Sequence, residues 1–243
     1  TEPLIAFGDP VLEGNGLQRG GPMLASRGTL IPVEDIRKMN RLPGTRDELQ
    51  AVAKALGVSP QTSLYLGHQA TEPMVTKLNS SGRLAKAEVV AFSTHGLIAG
   101  ELKGLKEPAL VLTPPKEPTE EDDGLLGLED ILKLKLDSAD WVILSACNTA
   151  AADASGEGLS GLARAFFFAG ARSLLVSHWS VEDRATQTLM MEVFQRYAKD
   201  KTMSRSEALR QGMLALMGKA KDETAYFAHP FSWAPFFLAG EGR

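Results

Sequence analysis

The chain has 243 residues, and 26 basic against 30 acidic side chains leave a formal charge of −4. So mild an acidity, with no basic stripe, excludes the electrostatic footprint of a direct nucleic-acid binder. A 44% hydrophobic and 23% charged composition excludes a disordered, highly charged chain and permits a large core. Every apolar stretch is broken well short of the roughly 20 residues of a membrane span, so no membrane partner is expected. A single cysteine, Cys147, rules out an intramolecular disulfide or a multi-cysteine zinc site. Thr1-Glu2-Pro3 carries neither Met nor a basic leader, which is expected where an upstream part of a longer protein has been removed.

In chain order, apolar or β-branched runs at Leu4–Phe7, Ser63–Leu66, Glu88–Ser93, Trp141–Ala146, Ser173–Ser177 and Phe236–Ala239 predict strands buried on both faces. Thr45 and Glu48 read as a T-x-x-E capping box. Leu49, Val52, Ala53 and Leu56 then form one helical stripe that ends at Gly57. Thr71-Glu72-Pro73 opens a second helix, with proline where its missing N–H costs little. Three prolines and five acidic residues mark 114–124 as an exposed acidic loop, a solvated connection or a lip that selects basic partners. Leu159, Leu162, Ala163 and Phe166 predict a helix stopping at Gly170, Val181 to Tyr197 a further one, and Ser204 with Glu207 caps the last. Strands alternating with helices imply crossover connections and a mostly parallel sheet covered on both faces. The expectation is one α/β domain over residues 1–243.

Reactive groups in open α/β sheets gather beyond the carboxyl ends of strands. Val89-Val90-Ala91-Phe92-Ser93-Thr94-His95-Gly96 delivers His95 to such an end, and Trp141 to Thr149 delivers Cys147. An imidazole beside a thiol can take its proton and return it to a leaving amine. Caspase-type proteases place the histidine about 50 residues before the cysteine, similar to the 147 − 95 = 52 seen here. The amides of Gly96 and Cys147 are the candidate oxyanion-hole donors. Taken alone, Cys147 reads first as a buried structural thiol and His95 as a core histidine; the dyad reading rests on the two together.

Ser93-Thr94-His95-Gly96, Ser145-Ala146-Cys147-Asn148-Thr149, Gly156-Glu157-Gly158-Leu159, Ala163-Arg164-Ala165-Phe166 and Ser180-Val181-Glu182-Asp183-Arg184 together resemble the CHAT domain. These are caspase-like domains of clan CD associated with tetratricopeptide-repeat proteins. Leu42-Pro43-Gly44-Thr45, Phe7-Gly8-Asp9-Pro10, His229-Pro230 and Trp233-Ala234 extend the likeness over almost the whole chain. The resemblance implies a caspase-like three-layer sandwich. It also implies a cofactor-free cysteine endopeptidase in a bacterial or archaeal cytoplasm, gated by a repeat or sensor module and acting on proteins or peptides. In that reading His95 is base and acid, Cys147 is nucleophile, and Ser145, Asp153, Trp179 and Ser180 line the substrate site. Arg-specific clan relatives carry an acid two places before the nucleophile; Ser145 stands there, so a simple basic-residue preference is not implied. Asp153 reads first as a loop turn residue, with a pocket carboxylate as the alternative, and Asp183 as a partner of a helix N-terminus.

His178 reads as a cleft border or a helix-entry residue, His229 as a turn residue, and His68 lies in a loop before Thr71. Scattered histidines with one cysteine argue against a transition-metal site, while the acidic loop leaves a carboxylate calcium site open. The rival reading is a latent regulatory or scaffold domain that keeps the fold and acts by binding a partner. An acyltransferase is a weaker third.

Overall fold

The structure, a computed structural model, describes residues 1–14, 32–102, 104–145, 158–179 and 181–243. In chain order the elements begin with β1 (Glu2–Gly8), α1 (Val33–Arg37), α2 (Pro43–Ala55), α3 (Pro60–Ser63), β2 (Leu64–Leu66), α4 (Glu72–Ser80) and β3 (Ala87–Ser93). There follow β4 (Gly96–Leu97), β5 (Ala109–Val111), β6 (Leu125–Leu126), α5 (Leu128–Leu132) and β7 (Trp141–Leu144). The last are α6 (Gly158–Phe168), β8 (Ser173–Ser177), α7 (Asp183–Lys199), α8 (Arg205–Gly218) and β9 (Phe236–Gly240).

The central sheet has the order β2-β1-β3-β7-β8-β9. All of its pairs are parallel except β8 with β9. The chain leaves β1 toward β2 and then returns across β1 to β3, so the winding reverses between β1 and β3. Such a reversal opens a crevice at the carboxyl ends of the two strands. Helices α4, α5 and α6 cover one face through Val75, Leu78, Ile131, Leu162 and Phe166. Helices α2, α7 and α8 cover the other through Leu49, Val52, Leu189, Val193 and Leu216. The fold is the caspase-like three-layer α/β sandwich.

β7 and β8 throughout, and β1 and β3 beyond their first residues, are buried and need apolar side chains on both faces, which explains their near-continuous apolar runs. On the first face Phe7 stacks between Tyr65 and Phe92, at centroid distances of 5.4 and 5.3 Å, and Phe92 continues to Phe166 at 5.8 Å. Burying each such ring is worth about 1.5–3 kcal/mol before packing is counted. On the opposite face Trp141 meets Phe194 and Tyr197 edge-on.

Two of the expected strands differ in kind. β2 and β9 are edge strands and only partly buried, and β9 runs antiparallel. A chain that follows two successive helices, α7 and α8, on one face can return to the edge in either direction. The sequence pattern also passes over a second sheet, β4-β5-β6, antiparallel throughout. Its strands of two or three residues are too short to show a period; they gather with Leu12, Ile36 and Met39 into a separate apolar cluster.

The helix predicted after Thr45 is present, yet its start differs. α2 begins at Pro43, and the N-cap Leu42 makes no side-chain cap. Thr45 lies inside the first turn, where Oγ1 donates to Leu42 O and accepts the Asp9 N–H. Glu48 is buried and points at the sheet, so the T-x-x-E pair is not a capping box. The other end is as expected: Gly57, at φ 68°, closes a Schellman turn with Gly57 N–H on Lys54 O and Val58 N–H on Ala53 O. Thr71 and Ser204 cap α4 and α8 by accepting from Met74 N and Glu207 N.

Candidate active site at the carboxyl ends of the parallel strands

α2 runs back across the sheet with its first turn over the carboxyl ends of the strands. It can settle close because Gly8 has no side chain: a Cβ there would lie 2.7 Å from Leu49 Cδ1 and 3.0 Å from Ser93 O. This approach brings Glu48 onto two hydroxyls. Ser93 Oγ donates to Glu48 Oε1 at 3.1 Å and Ser145 Oγ to Glu48 Oε2 at 3.0 Å. Phe92 pairs with Leu144 and Ser145 N–H donates to Phe92 O, so the two serines stand opposite each other on neighbouring strands.

Two residues beyond Ser93 stands His95, 3% exposed. Its Nε2 lies 2.7 Å from the backbone carbonyl of Asn40, in the segment that leads into α2. A carbonyl only accepts, so Nε2 carries a proton, which in the neutral form of the ring leaves Nδ1 as the basic nitrogen. The chain then turns into β4: Val111 N–H donates to His95 O, and Gly96 faces Leu110. That bond makes Gly96–Leu110 a non-hydrogen-bonded pair, whose N–H groups point away from the partner strand. The Gly96 amide therefore faces out of the β4–β5 ladder.

Ser145 follows the last residue of β7 and is 4% exposed, its hydroxyl turned inward onto Glu48. Cys147, Asp153 and Ser180, expected to carry nucleophile, oxyanion and substrate contacts, lie outside the described residues. Trp179 stands after β8, next to β7, half-buried, with Nε1–H on Phe231 O at 3.0 Å. His178 is exposed and stacks on Phe237 at 4.5 Å. His229 turns the chain, its Nδ1 accepting the Phe231 N–H. Asp183 opens α7, and its carboxylate occupies the space that a Cβ on Gly44 would need, against the first turn of α2.

Over the ends of β1 and β2 lies a cleft of about 480 Å³ lined by Asp9, Val11, Glu13, Arg41, Arg46 and His68 among others. Asp9 has a positive φ of 47° and is held from three sides. Its N–H donates to Thr45 Oγ1, its carboxylate pairs with Arg46 at 2.7 Å, and its carbonyl accepts Gly67 N–H. Thr113 knits the floor, accepting Val11 N–H and donating to Gly67 O.

The acidic loop is exposed over residues 116–121, but its end turns inward. Glu72 Oε2 accepts the N–H groups of Asp123 and Gly124 at 2.8 and 2.7 Å. Burial, with Asp123 and Asp122 beside it, pushes the Glu72 carboxyl up to about 8. Burial also raises Asp122 and Asp123. Among the described residues no three His, Cys, Asp or Glu side chains are arranged to hold a metal ion, and no helix is long and apolar enough to cross a membrane.

Two elements of the site escaped sequence reasoning. The Asn40 contact is a backbone carbonyl, which any residue supplies. Glu48 was assigned to a cap, although its position in the stripe Thr45-Glu48-Leu49-Val52 already aimed it at the sheet.

In an alignment of 233 positions that covers 82% of this chain, the sequence is 27% identical to tetratricopeptide repeat protein 28 of Mus musculus and to its Homo sapiens counterpart. The chain spans 8% of the length of each of these mammalian relatives. The family model of the CHAT domain matches residues 13–241, which include the His95 strand end and the Glu48 bridge. The chain therefore belongs to the CHAT domain family.

Proposed function

We propose that this domain is a cysteine endopeptidase in which His95 and Cys147 form the catalytic dyad. The observation that carries the reading is the state of His95. It sits at the end of a parallel strand with Nε2 committed to Asn40 O, so Nδ1 is the base, while the neighbouring strand leads through Ser145 to the only thiol two residues on. His95 takes the thiol proton, the thiolate attacks the peptide carbonyl, and the imidazolium returns the proton to the leaving amine. Water then hydrolyses the thioester. The amides of Gly96 and Cys147 stabilise the oxyanion, and the orientation of Gly96 away from β5 supports that role. Trp179, Ser180, Asp153 and the Ser145 segment border the bound peptide. The proposed substrate is a protein or peptide, the setting cytoplasmic.

The latent regulatory reading has its own support. His95 is 3% exposed, and the mammalian relatives are named for tetratricopeptide repeats, modules that place such a domain within a larger assembly. A partner that opens the site would gate it. Exposure of a denatured proteome to wild type and Cys147→Ala, with new peptide N-termini counted, tests the peptidase. Termini that depend on Cys147 and His95 are expected. Their absence, with and without a repeat-containing partner, refutes it in favour of the binding role.

A further inference from the structure

Glu48 is 1% exposed, Ser93 fully buried and Ser145 4% exposed, so the bridge between them is dry. Each carboxylate oxygen takes one hydroxyl, and the two hydroxyls belong to residues at one register on adjacent strands. That register closes the ladder among the described residues, with Ser145 N–H on Phe92 O, and beyond it the β3 tail bends into the small sheet through Val111 N–H on His95 O. The same helix that carries Glu48 is entered from Asn40, whose carbonyl orients the His95 ring.

We propose that Glu48 is a positioning residue of the dyad: by bridging Ser93 and Ser145 it fixes the separation of the two strand ends that carry His95 and Cys147. The inference rests on the His95–Cys147 reading above and extends it. A thiolate beside an imidazole needs the two groups within hydrogen-bond reach, and a displacement of about 1 Å costs on the order of 100-fold in rate. One residue separates each serine from the reactive residue of its strand, Thr94 before His95 and Ala146 before Cys147. Reach is the property that matters. Aspartate keeps the carboxyl group but is one methylene too short to span both hydroxyls, whereas glutamine keeps the span, and a serine hydroxyl can rotate to accept from its amide.

The test uses the sole thiol. The rate of Cys147 alkylation is measured against pH in wild type, His95→Ala, Glu48→Asp, Glu48→Gln, and the single variants Ser93→Ala and Ser145→Ala. Peptide kcat and KM are measured alongside, with circular dichroism to confirm the fold. The wild-type thiol is expected to react well below the free-cysteine pKa of about 8.5, in a manner lost in His95→Ala. Glu48→Asp should move that midpoint up toward the free value and lower kcat by about 10- to 100-fold at little change in KM. Glu48→Gln should recover about 10-fold or more of the loss, and each serine variant should fall between. The serine variants keep the helix and the carboxylate and so report even if a Glu48 variant fails to fold. A depressed midpoint retained in folded Glu48→Asp and in both serine variants overturns the inference and leaves the dyad standing. An ordinary wild-type thiol, indifferent to His95→Ala, removes the dyad and the inference with it.

Discussion

Replacing Glu72 with glutamine should change how the stability of this domain depends on pH. Glu72 is the first residue of α4, 6% exposed, and its carboxyl faces Asp122 and Asp123 at the inward end of the acidic loop. Moving from 4.5 to about 8 on folding means that between those values the folded protein holds a proton that the unfolded chain has released. Stability from this group is therefore complete below about pH 4.5 and declines as pH rises toward 8, the opposite of an ion-paired carboxylate. At about 1.36 kcal/mol per unit, the whole interval is worth at most about 5 kcal/mol, and a few after the loop relaxes. The raised Asp122 and Asp123 add to it in the same direction. Urea unfolding at steps between pH 5 and 8.5 measures the effect. Wild type should lose stability across that range, and Glu72→Gln, neutral throughout and still able to accept the Asp123 and Gly124 amides, should lose much less and become the more stable protein near pH 8. Parallel pH profiles for the two proteins would refute the argument.

Two further outcomes follow from packing. Phe92→Ala removes the middle ring between Phe7 and Phe166 and should cost about 3–5 kcal/mol in chemical unfolding; a cost below about 1 kcal/mol would mean that the core collapses into the space. Gly8→Ala drives a methyl against Leu49 Cδ1 and the Ser93 carbonyl, so it should destabilise by about 1–3 kcal/mol and slow Cys147 alkylation by lifting α2; unchanged values for both would show that α2 does not need this approach.

How much could be read from the chain depended on whether a residue's role was set by a period or by a long-range partner. Val89 to Phe92 and Trp141 to Leu144 are apolar because they are buried on both faces, and that alone located the strands leading to His95 and Cys147. The stripes of α2 and α7 gave the two helices that pack on each other on one face. β4 and β6, at two residues each, have no period to show, and their place depends on contacts with Ile36 and Leu12 far away in sequence. The antiparallel return of β9 is likewise decided by where α8 ends. The placement of His95 and Gly96 just beyond a buried strand was legible from the apolar run that precedes them. The Asn40 carbonyl was not, since a backbone acceptor leaves no mark in the sequence.

The misassigned pair Thr45 and Glu48 shows what distinguishes a cap from a strut. A T-x-x-E cap needs threonine to precede the helix, but Pro43, with its fixed φ, starts the helix two residues earlier and carries both side chains into regular helix. There Thr45, Glu48, Leu49 and Val52 fall at i, i+3, i+4 and i+7, one stripe that faces the sheet and is polar in its first turn and apolar afterwards. Its apolar part lies on the core. Its polar part lies over the carboxyl ends of the strands, where Thr45 takes the Asp9 amide at the cleft and Glu48 takes the serines before the reactive residues. Burying a carboxyl and a hydroxyl on the inner face of a helix is costly unless each finds partners, and here Thr45 has Leu42 O and the Asp9 amide while Glu48 has the hydroxyls of Ser93 and Ser145 at the strand ends. A polar start to an otherwise apolar helical stripe, following a strand in a parallel sheet, thus marks a helix that reaches over the carboxyl edge, and in this chain that helix holds Asp9 through Thr45 and joins Ser93 to Ser145 through Glu48.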